Sequence, residues 1–449
     1  KMFFLQRRCY STVLNNEIEQ LKNHCLPQWT SLNQTIQSSI SVEKAKGCFL
    51  YGQRLTNSDS TQQRFLDFGS GMYCSNLGHG REEITNAISQ QLSQLDYVES
   101  RYSLVGCRSL AAKRLSELFR VTNSGGIPLS HFYFCSSGSE ANECAMRIAR
   151  EFTSREKILS RYGSYHGSTT GSISLSGDQR RHNRRDDLVK SNIIHTVHPS
   201  PANQPNLWGE TDAERVERYC QYLEEIILAE KASTIASFHI EAITSPANGM
   251  LLPPKHYFSG VHALLKHHGI LMAIDEVLTG FGRTSEMFGF QHEKGFVPDI
   301  VVLAKGLSNG AFPVGAVGVR PDIGEFFHEH ALGVGSTYHA HPVGMASVIA
   351  TLDIYLEQHK SLLEQVNSLE ALLVQKLDTL IDRFPNVLRS HRTKGMLSMI
   401  DTNLSMPEFH QLQQLCYENS VFIINIGSSI VLAPPLVISK DLLTKGLDQ

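Results

Sequence analysis

An acid and a lysine stand at the ends of two short apolar runs. Ile270 to Ile274 leads into Asp275, and Asp299 to Ala304 leads into Lys305. Short apolar runs bounded by Gly, Pro and charge read as core strands of a parallel sheet. An open α/β sheet binds its ligand beyond the carboxyl ends of its strands, so both charged groups would face one crevice. A lysine there can form a Schiff base with an aldehyde, and a carboxylate can keep the pyridine nitrogen of that aldehyde's ring protonated. This pairing suggests pyridoxal 5'-phosphate (PLP); the plainer alternative is a solvated or salt-bridged pair of strand-end charges.

Other elements would have to position such a cofactor. His131 to Cys135 reads as a strand, and SSGSEANECAMRIAREF after it as a turn and an amphipathic helix with Ala141, Ala145, Met146 and Ile148 inward. A glycine flanked by hydroxyl residues at a strand-to-helix turn lets backbone N–H groups and the helix dipole converge on an anion. Gly138 and Ser139 are therefore candidate phosphate ligands, although a serine here can also serve as a helix cap. KILSRYGSYHGSTTGSISLSGD reads as a strand and a Gly-rich turn presenting Tyr165 and His166, and Thr234 to Ile240 as a core strand ending in Glu241.

The wording DEVLTGFGRT followed by PDIVVLAKGLSNGAFPVGAV closely resembles the signature of the class III (ω-amino acid) aminotransferases, with further motifs in family order from about Trp29 to Ser439. The resemblance implies a PLP-dependent transferase of fold type I. Such a fold is α/β, with a mostly parallel central sheet flanked by helices and a smaller α+β domain built from both termini. It implies that Lys305 carries PLP, that Asp275 pairs with the ring nitrogen, and that Tyr165 and Val277 cover the two ring faces. SGSEAN would cradle the phosphate, His166 would be a structural hydrogen-bonder and Glu276 would only position. Glu241 would approach the cofactor and influence how the substrate is received. Thr337 would reach the phosphate of a neighbouring subunit, so that a homodimer carries composite sites. Trp29 and Tyr73 would line the substrate mouth, core packing being the alternative for both.

The 449 residues exceed one ordinary domain. Composition sets apart a candidate targeting segment at 1–16, and the resemblance implies the N-terminal part of a small domain at 17–79, a large PLP-binding domain at 80–335 and a C-terminal small domain at 336–449. A formal net charge of −3 gives no cationic field suited to nucleic acid or anionic membrane. The nine scattered cysteines contain no C-x-x-C pair and so neither a readable zinc site nor a disulfide framework. No apolar run approaches the roughly 20 residues needed to span a bilayer. The first 16 residues carry Lys1, Arg7 and Arg8 and no acid. That composition is found in mitochondrial transit peptides, with a cytoplasmic protein as the alternative. The chain opens on Lys and stops soon after LVISKDLL, so either terminus is expected to continue.

The partners expected are small molecules: an ω-amino acid or related primary amine as donor and a 2-oxo acid such as pyruvate as acceptor. The exchange would be ping-pong, through the Lys305 Schiff base and pyridoxamine phosphate. The turn KILSRYGSYHGSTTGSISLSGD looks most like the pyruvate-using taurine and β-alanine branch. Many relatives bind the acceptor carboxylate with an arginine near the C-terminus, where this chain has Ile424 or a neighbour and no Arg between Arg392 and Gln449. Arg101 and the cluster of Arg180, Arg181, Arg184 and Arg185 are the other candidates, the cluster reading first as a solvated loop; the alternative is a substrate that lacks the usual second carboxylate. Two alternatives stay open: another class III PLP reaction (amine-phosphate lyase, aminomutase or decarboxylase), and a non-catalytic relative of the fold.

Overall fold

The computed structural model describes residues 16–55, 62–123, 125, 129–183, 192–200, 209 and 211–449. The targeting segment proposed at 1–16 and the arginines at 184 and 185 lie, apart from residue 16, outside them.

Seven strands form the central sheet: β1 (His131–Cys135), β2 (Lys157–Arg161), β3 (Ile193–Thr196), β4 (Ile235–Glu241), β5 (Leu271–Asp275), β6 (Ile300–Leu303) and β7 (Gly315–Val319). Their order is β1-β7-β6-β5-β4-β2-β3. Every neighbouring pair is parallel except the two made by β7, which runs antiparallel to both β1 and β6. Every residue of β4 to β7 is buried, as expected of strands covered on both faces. The stretch after Lys305 supplies the single strand β7. Its two edges are used by β1 and β6.

One helix covers the sheet directly, and a second, longer one packs on other helices and on the C-terminal strand Leu388–Lys394. Helix α1 (Gly138–Thr153) lies against the sheet and buries Ala141, Ala145, Met146, Ile148 and Ala149 on one stripe. Helix α2 (Pro342–Arg383) is one unbroken helix of 42 residues. Pro342 suits its first turn, where no intrahelical N–H is required, and His341 Nδ1 accepts the Val343 N–H at 3.3 Å.

The remaining strands make two four-stranded sheets. One joins Ile40–Lys46, Phe49–Arg54 and Gln63–Asp67 to Val421–Phe422, which pairs in parallel with the last of them, so residues from near both ends of the chain share a sheet. The other holds Leu388–Lys394, Leu397–Thr402, Ser429–Leu432 and Ile424–Ile426. Arg283, from the GFGRT motif, clamps this region to the central part. Its fully buried guanidinium donates to the carbonyls of Met396 (2.9 Å) and Pro434 (2.6 Å) and to Asn76 Oδ1 (2.7 Å). A buried cation without these acceptors would be strongly destabilising.

Candidate active site

Strand register brings the two acids together. Glu241 and Asp275 are partners at the carboxyl ends of β4 and β5, and Asp275 is in turn opposite Val302 on β6. Lys305 follows β6 in a 3-10 turn over Lys305–Leu307 with φ of 46°. A non-glycine residue in that left-handed region is strained, and such strain collects at functional sites.

Asp275 is held by three donors. Its Oδ2 lies 2.8 Å from His166 Nδ1 and accepts from Asn142 Nδ2 at 2.9 Å, while its Oδ1 accepts the Val277 N–H at 2.9 Å. The imidazole is fully buried, as a structural hydrogen-bonder should be, and its Nε2 has no partner. Asn142 was absent from the residues singled out in the sequence. It lies four residues after Gly138, hence on the same face of α1, and it also donates to the His166 carbonyl at 2.8 Å. That i to i+4 spacing within SGSEAN was the signal available.

Burial lowers the pKa of Lys305, with the negative potential of Cys74, Asp275 and Glu241 opposing the shift. Burial pushes the Glu241 carboxyl up to about 8, and Asp275 beside it acts in the same direction. Glu241 accepts the Tyr165 N–H at 3.3 Å and the Ser245 N–H at 3.0 Å. Glu276 turns away from the crevice: it accepts from Thr279 Oγ1 (2.6 Å), Gly289 N (2.8 Å) and Phe290 N (2.8 Å) and has no partner in the Lys305 and Asp275 cluster among these bonds.

Gly138 and Ser139 occupy the first turn of α1, with Ser137 as cap, its Oγ accepting the Glu140 N–H at 3.2 Å. The capping role therefore falls to Ser137. First-turn amides have no intrahelical acceptor and are available to an anion. A side chain on Gly138 would stand 3.2 Å from both methyls of Val277, so the cradle and the residue meant for one ring face are in contact. Ser139 Oγ accepts the Ser168 N–H at 3.1 Å, which closes the YHGS turn over the start of α1.

Tyr73 is buried, with Lys305 Nζ 5.2 Å from its ring centroid. It ends a run of four left-handed residues, Ser70, Gly71, Met72 and Tyr73, with φ between 48° and 68°. Asp67 Oδ1 anchors that run by accepting the N–H groups of Gly69 (2.7 Å) and Ser70 (3.0 Å). Trp29 is 58% exposed, which excludes the core reading for it, and it meets Tyr165 edge-on at 6.3 Å. Ile424 packs into the apolar cluster around Tyr73 and Leu278. Thr337 is exposed, its carbonyl receiving the Tyr97 hydroxyl at 2.8 Å.

The expectation of a solvated arginine loop needs correction for its first member. The Arg180 guanidinium carbon lies 3.7 Å from the Tyr165 ring centroid and 5.4 Å from that of Trp29. Asp178, two residues earlier and only 7% exposed, pairs with it and draws it inward. Arg181 turns instead to Tyr162, 5.2 Å from its centroid. Arg101 is exposed over Tyr102.

The donor set suits PLP. First-turn amides meet a phosphate, Asp275 meets a protonated ring nitrogen, Tyr165 and Val277 offer flat and branched apolar surfaces, and a buried amine with lowered pKa meets an aldehyde.

Comparison with known proteins agrees with this chemistry. The family model for aminotransferase class-III matches residues 31–449. A probable gamma-aminobutyrate transaminase 4 of Oryza sativa subsp. japonica is 31% identical over 456 residues, covering 95% of this chain and 89% of that protein. The crystal structure of a thermostable (S)-enantioselective omega-transaminase from Thermomicrobium roseum superimposes with a TM-score of 0.86 at 32% identity, covering 97% of this chain and 96% of that one. Taurine:2-oxoglutarate aminotransferase from Bifidobacterium kashiwanohense, solved in complex with PLP and glutamate, gives 0.85 at 28% identity over 97% of this chain and 96% of that one. The arrangement of an acid, a lysine and an anion cradle at the carboxyl edge of a mostly parallel sheet thus belongs to a PLP-dependent enzyme, and the chain is a member of the class III aminotransferase family.

Proposed function

We propose that the crevice at the carboxyl ends of β4 to β6 moves an amino group from an ω-amino acid or related primary amine to a small 2-oxo acid such as pyruvate. The observation that carries this reading is the burial of Lys305 with lowered pKa beside an Asp275 already fixed by His166 and Asn142. PLP, when bound, supplies an aldehyde that condenses with amines and a ring that takes up electron density.

The chain's own residues supply the rest. Gly138 and Ser139 hold the phosphate, Tyr165 and Val277 confine the ring plane, and Asp275 keeps the ring nitrogen charged by standing as its counter-ion. Lys305 Nζ anchors the aldehyde carbon. When not engaged with the aldehyde, the same nitrogen would be the base that holds or gives up a proton beside the substrate. Burial favours the neutral form that this task requires. Glu241, beside Asp275, acts on the substrate side. Tyr73 and Trp29 wall the mouth and exclude water.

The active form in this reading is a homodimer in which Thr337 of each copy serves the other's phosphate. Thr337 is exposed, and the large apolar residues Leu104 (105%), Tyr102 (82%) and Tyr338 (59%) are exposed as well, a pattern that favours burial against a partner. The basic, acid-free composition of residues 1–16 supports a mitochondrial address, which an import assay of the tagged chain would check.

The test is chemical. Borohydride reduction of the PLP-loaded protein followed by peptide mass spectrometry should place the cofactor on Lys305, and Lys305→Ala should leave fold and dimer intact while abolishing amino transfer across a panel of amines and 2-oxo acids. A label on another lysine, or turnover retained by the variant, overturns the assignment. Release of phosphate or carbon dioxide without need for a 2-oxo acid would replace transamination by a lyase or decarboxylase reaction.

A further inference from the structure

The acceptor's carboxylate needs a cation, and the place where many class III enzymes keep one is apolar here: Ile424 packs against the Tyr73 cluster. Two other arginines near the crevice are fully buried, out of reach of a solute. Arg283 donates to the Met396 and Pro434 carbonyls and to Asn76, leaving only Nε unpartnered. Arg161 lies under Glu241, bonded to that residue's carbonyl at 2.7 Å with Tyr257 along its other side, and its unpartnered Nε and Nη1 are closed off from the crevice mouth by that burial.

Arg180 differs from both. Its guanidinium lies on Tyr165, the residue next to His166, and near Trp29, so it faces the mouth walled by those rings. Its side chain is 28% exposed, enough for a solute to reach it. Asp178 fixes its position twice over: Oδ1 accepts the Arg180 backbone N–H at 2.9 Å, and Oδ2 accepts Nε at 2.8 Å and also Nη2. Nη1 lies outside that pair. A guanidinium held over an aromatic face and fixed on one edge by a carboxylate presents its remaining N–H groups in one direction, an arrangement that matches a second carboxylate and that a lysine cannot reproduce.

We infer that Arg180, pinned between Tyr165 and Asp178, receives the carboxylate of the 2-oxo acid acceptor and so sets the enzyme's preference for acid-bearing substrates. Asp178 is the resident counter-ion. When the amine donor brings an uncharged tail, the Asp178 and Arg180 pair stays closed and no bare cation is left in the mouth; when the oxo acid enters, its carboxylate adds at the free edge of the fork. One cation can then serve two substrates of different charge without a swinging side chain.

This inference rests on the transaminase reading, and its test separates the two. The PLP-loaded wild type and the variants Arg180→Met, Arg180→Gln and Arg180→Lys are compared with butylamine as donor and either pyruvate or acetaldehyde as acceptor, acetaldehyde being pyruvate without its carboxylate. Calorimetric binding of pyruvate to the same Arg180 series placed in a Lys305→Ala background and loaded with pyridoxamine phosphate, the form that receives the oxo acid, is a second readout independent of turnover. A charged hydrogen bond lost at a partly exposed site corresponds to roughly 10- to 100-fold. The ratio of kcat/KM for pyruvate to that for acetaldehyde should fall by that factor in Arg180→Met and Arg180→Gln, through KM rather than kcat. Pyruvate affinity should fall in parallel, and Arg180→Lys should recover only part of it. A ratio and an affinity unchanged within about threefold would overturn the assignment. Equal losses for both acceptors, with pyruvate binding intact, would reduce Arg180 to a structural clamp on Tyr165. A wild type that transfers to neither acceptor counts against transamination, and the calorimetry then still decides whether Arg180 binds the carboxylate.

Discussion

His166 Nδ1 lies 2.8 Å from Asp275 Oδ2, with the imidazole fully buried and Nε2 left without a partner. The histidine therefore serves the aspartate and no other polar group on that ring. Replacing it by Leu should leave Asp275 one donor short and free to rotate about its remaining bonds. We expect kcat to fall about tenfold, the value of one hydrogen bond to a charged acceptor, with little change in the melting temperature. Steady-state kinetics beside a thermal melt would check this, and unchanged kcat would show that Asn142 and the Val277 N–H suffice.

Asn142 joins the helix, the cofactor turn and the acid. Its amide donates to Asp275 Oδ2 and to the carbonyls of His166 and Gly138. Asn142→Ala removes the side-chain donor from the His166 carbonyl and leaves Asp275 Oδ2 with His166 alone, which should cost about 1–3 kcal/mol in stability as well as activity. Urea unfolding of the variant is the measurement; a loss below about 0.5 kcal/mol would mean that water replaces the amide.

Gly167 has φ of 132°, and a Cβ there would come within 2.8 Å of Ser139 Cα. An L side chain rarely adopts that conformation, and here the contact is with backbone that cannot yield. Gly167→Ala should push the YHGS turn off the start of α1 and weaken PLP binding by at least about tenfold, from a few kcal/mol of strain. Titration of the apoprotein with PLP, followed by the cofactor's absorbance, would read it. Unchanged affinity would show that the phosphate cradle does not depend on this packing.

Glu276 is fully buried, and burial raises its carboxyl to about 7 against three hydrogen-bond donors that favour the charged form. An acid with a raised folded-state pKa holds its proton in the native state where the unfolded chain has lost it. Stability should therefore decline as pH rises from the ordinary 4.5 to about 7, and level off above. The slope contributed by this one group is at most about 1.4 kcal/mol per pH unit. Glu276→Gln should remove that contribution. Denaturation curves of both proteins at several pH values between 5 and 8 decide it, and parallel pH profiles would assign the slope to other groups such as Glu241.

Much of the site was legible in the residues. Asp275, Lys305 and Glu241 stand at strand ends, and strand ends are announced locally by where apolar runs stop, since a buried strand cannot carry an unpaired charge along its length. The helix after the phosphate turn was readable for a similar reason: a 3.6-residue period of small apolar residues records the face it must bury. A strong motif likeness added the roles that spacing cannot assign.

Three matters waited for the tertiary structure. The pairing of Glu241 with Asp275 depends on strand register, which is set by packing across the whole sheet. Arg180 reads as one of several basic residues in a polar stretch, and only the fold brings it onto Tyr165, fifteen positions earlier in the chain, and near Trp29. Asn142 looks like any helical polar residue until α1 docks and turns it toward Asp275. Sequence records which side chains are buried or charged because those preferences are local. Which of them meet is decided by how separate elements pack, and that is a property of the folded chain as a whole.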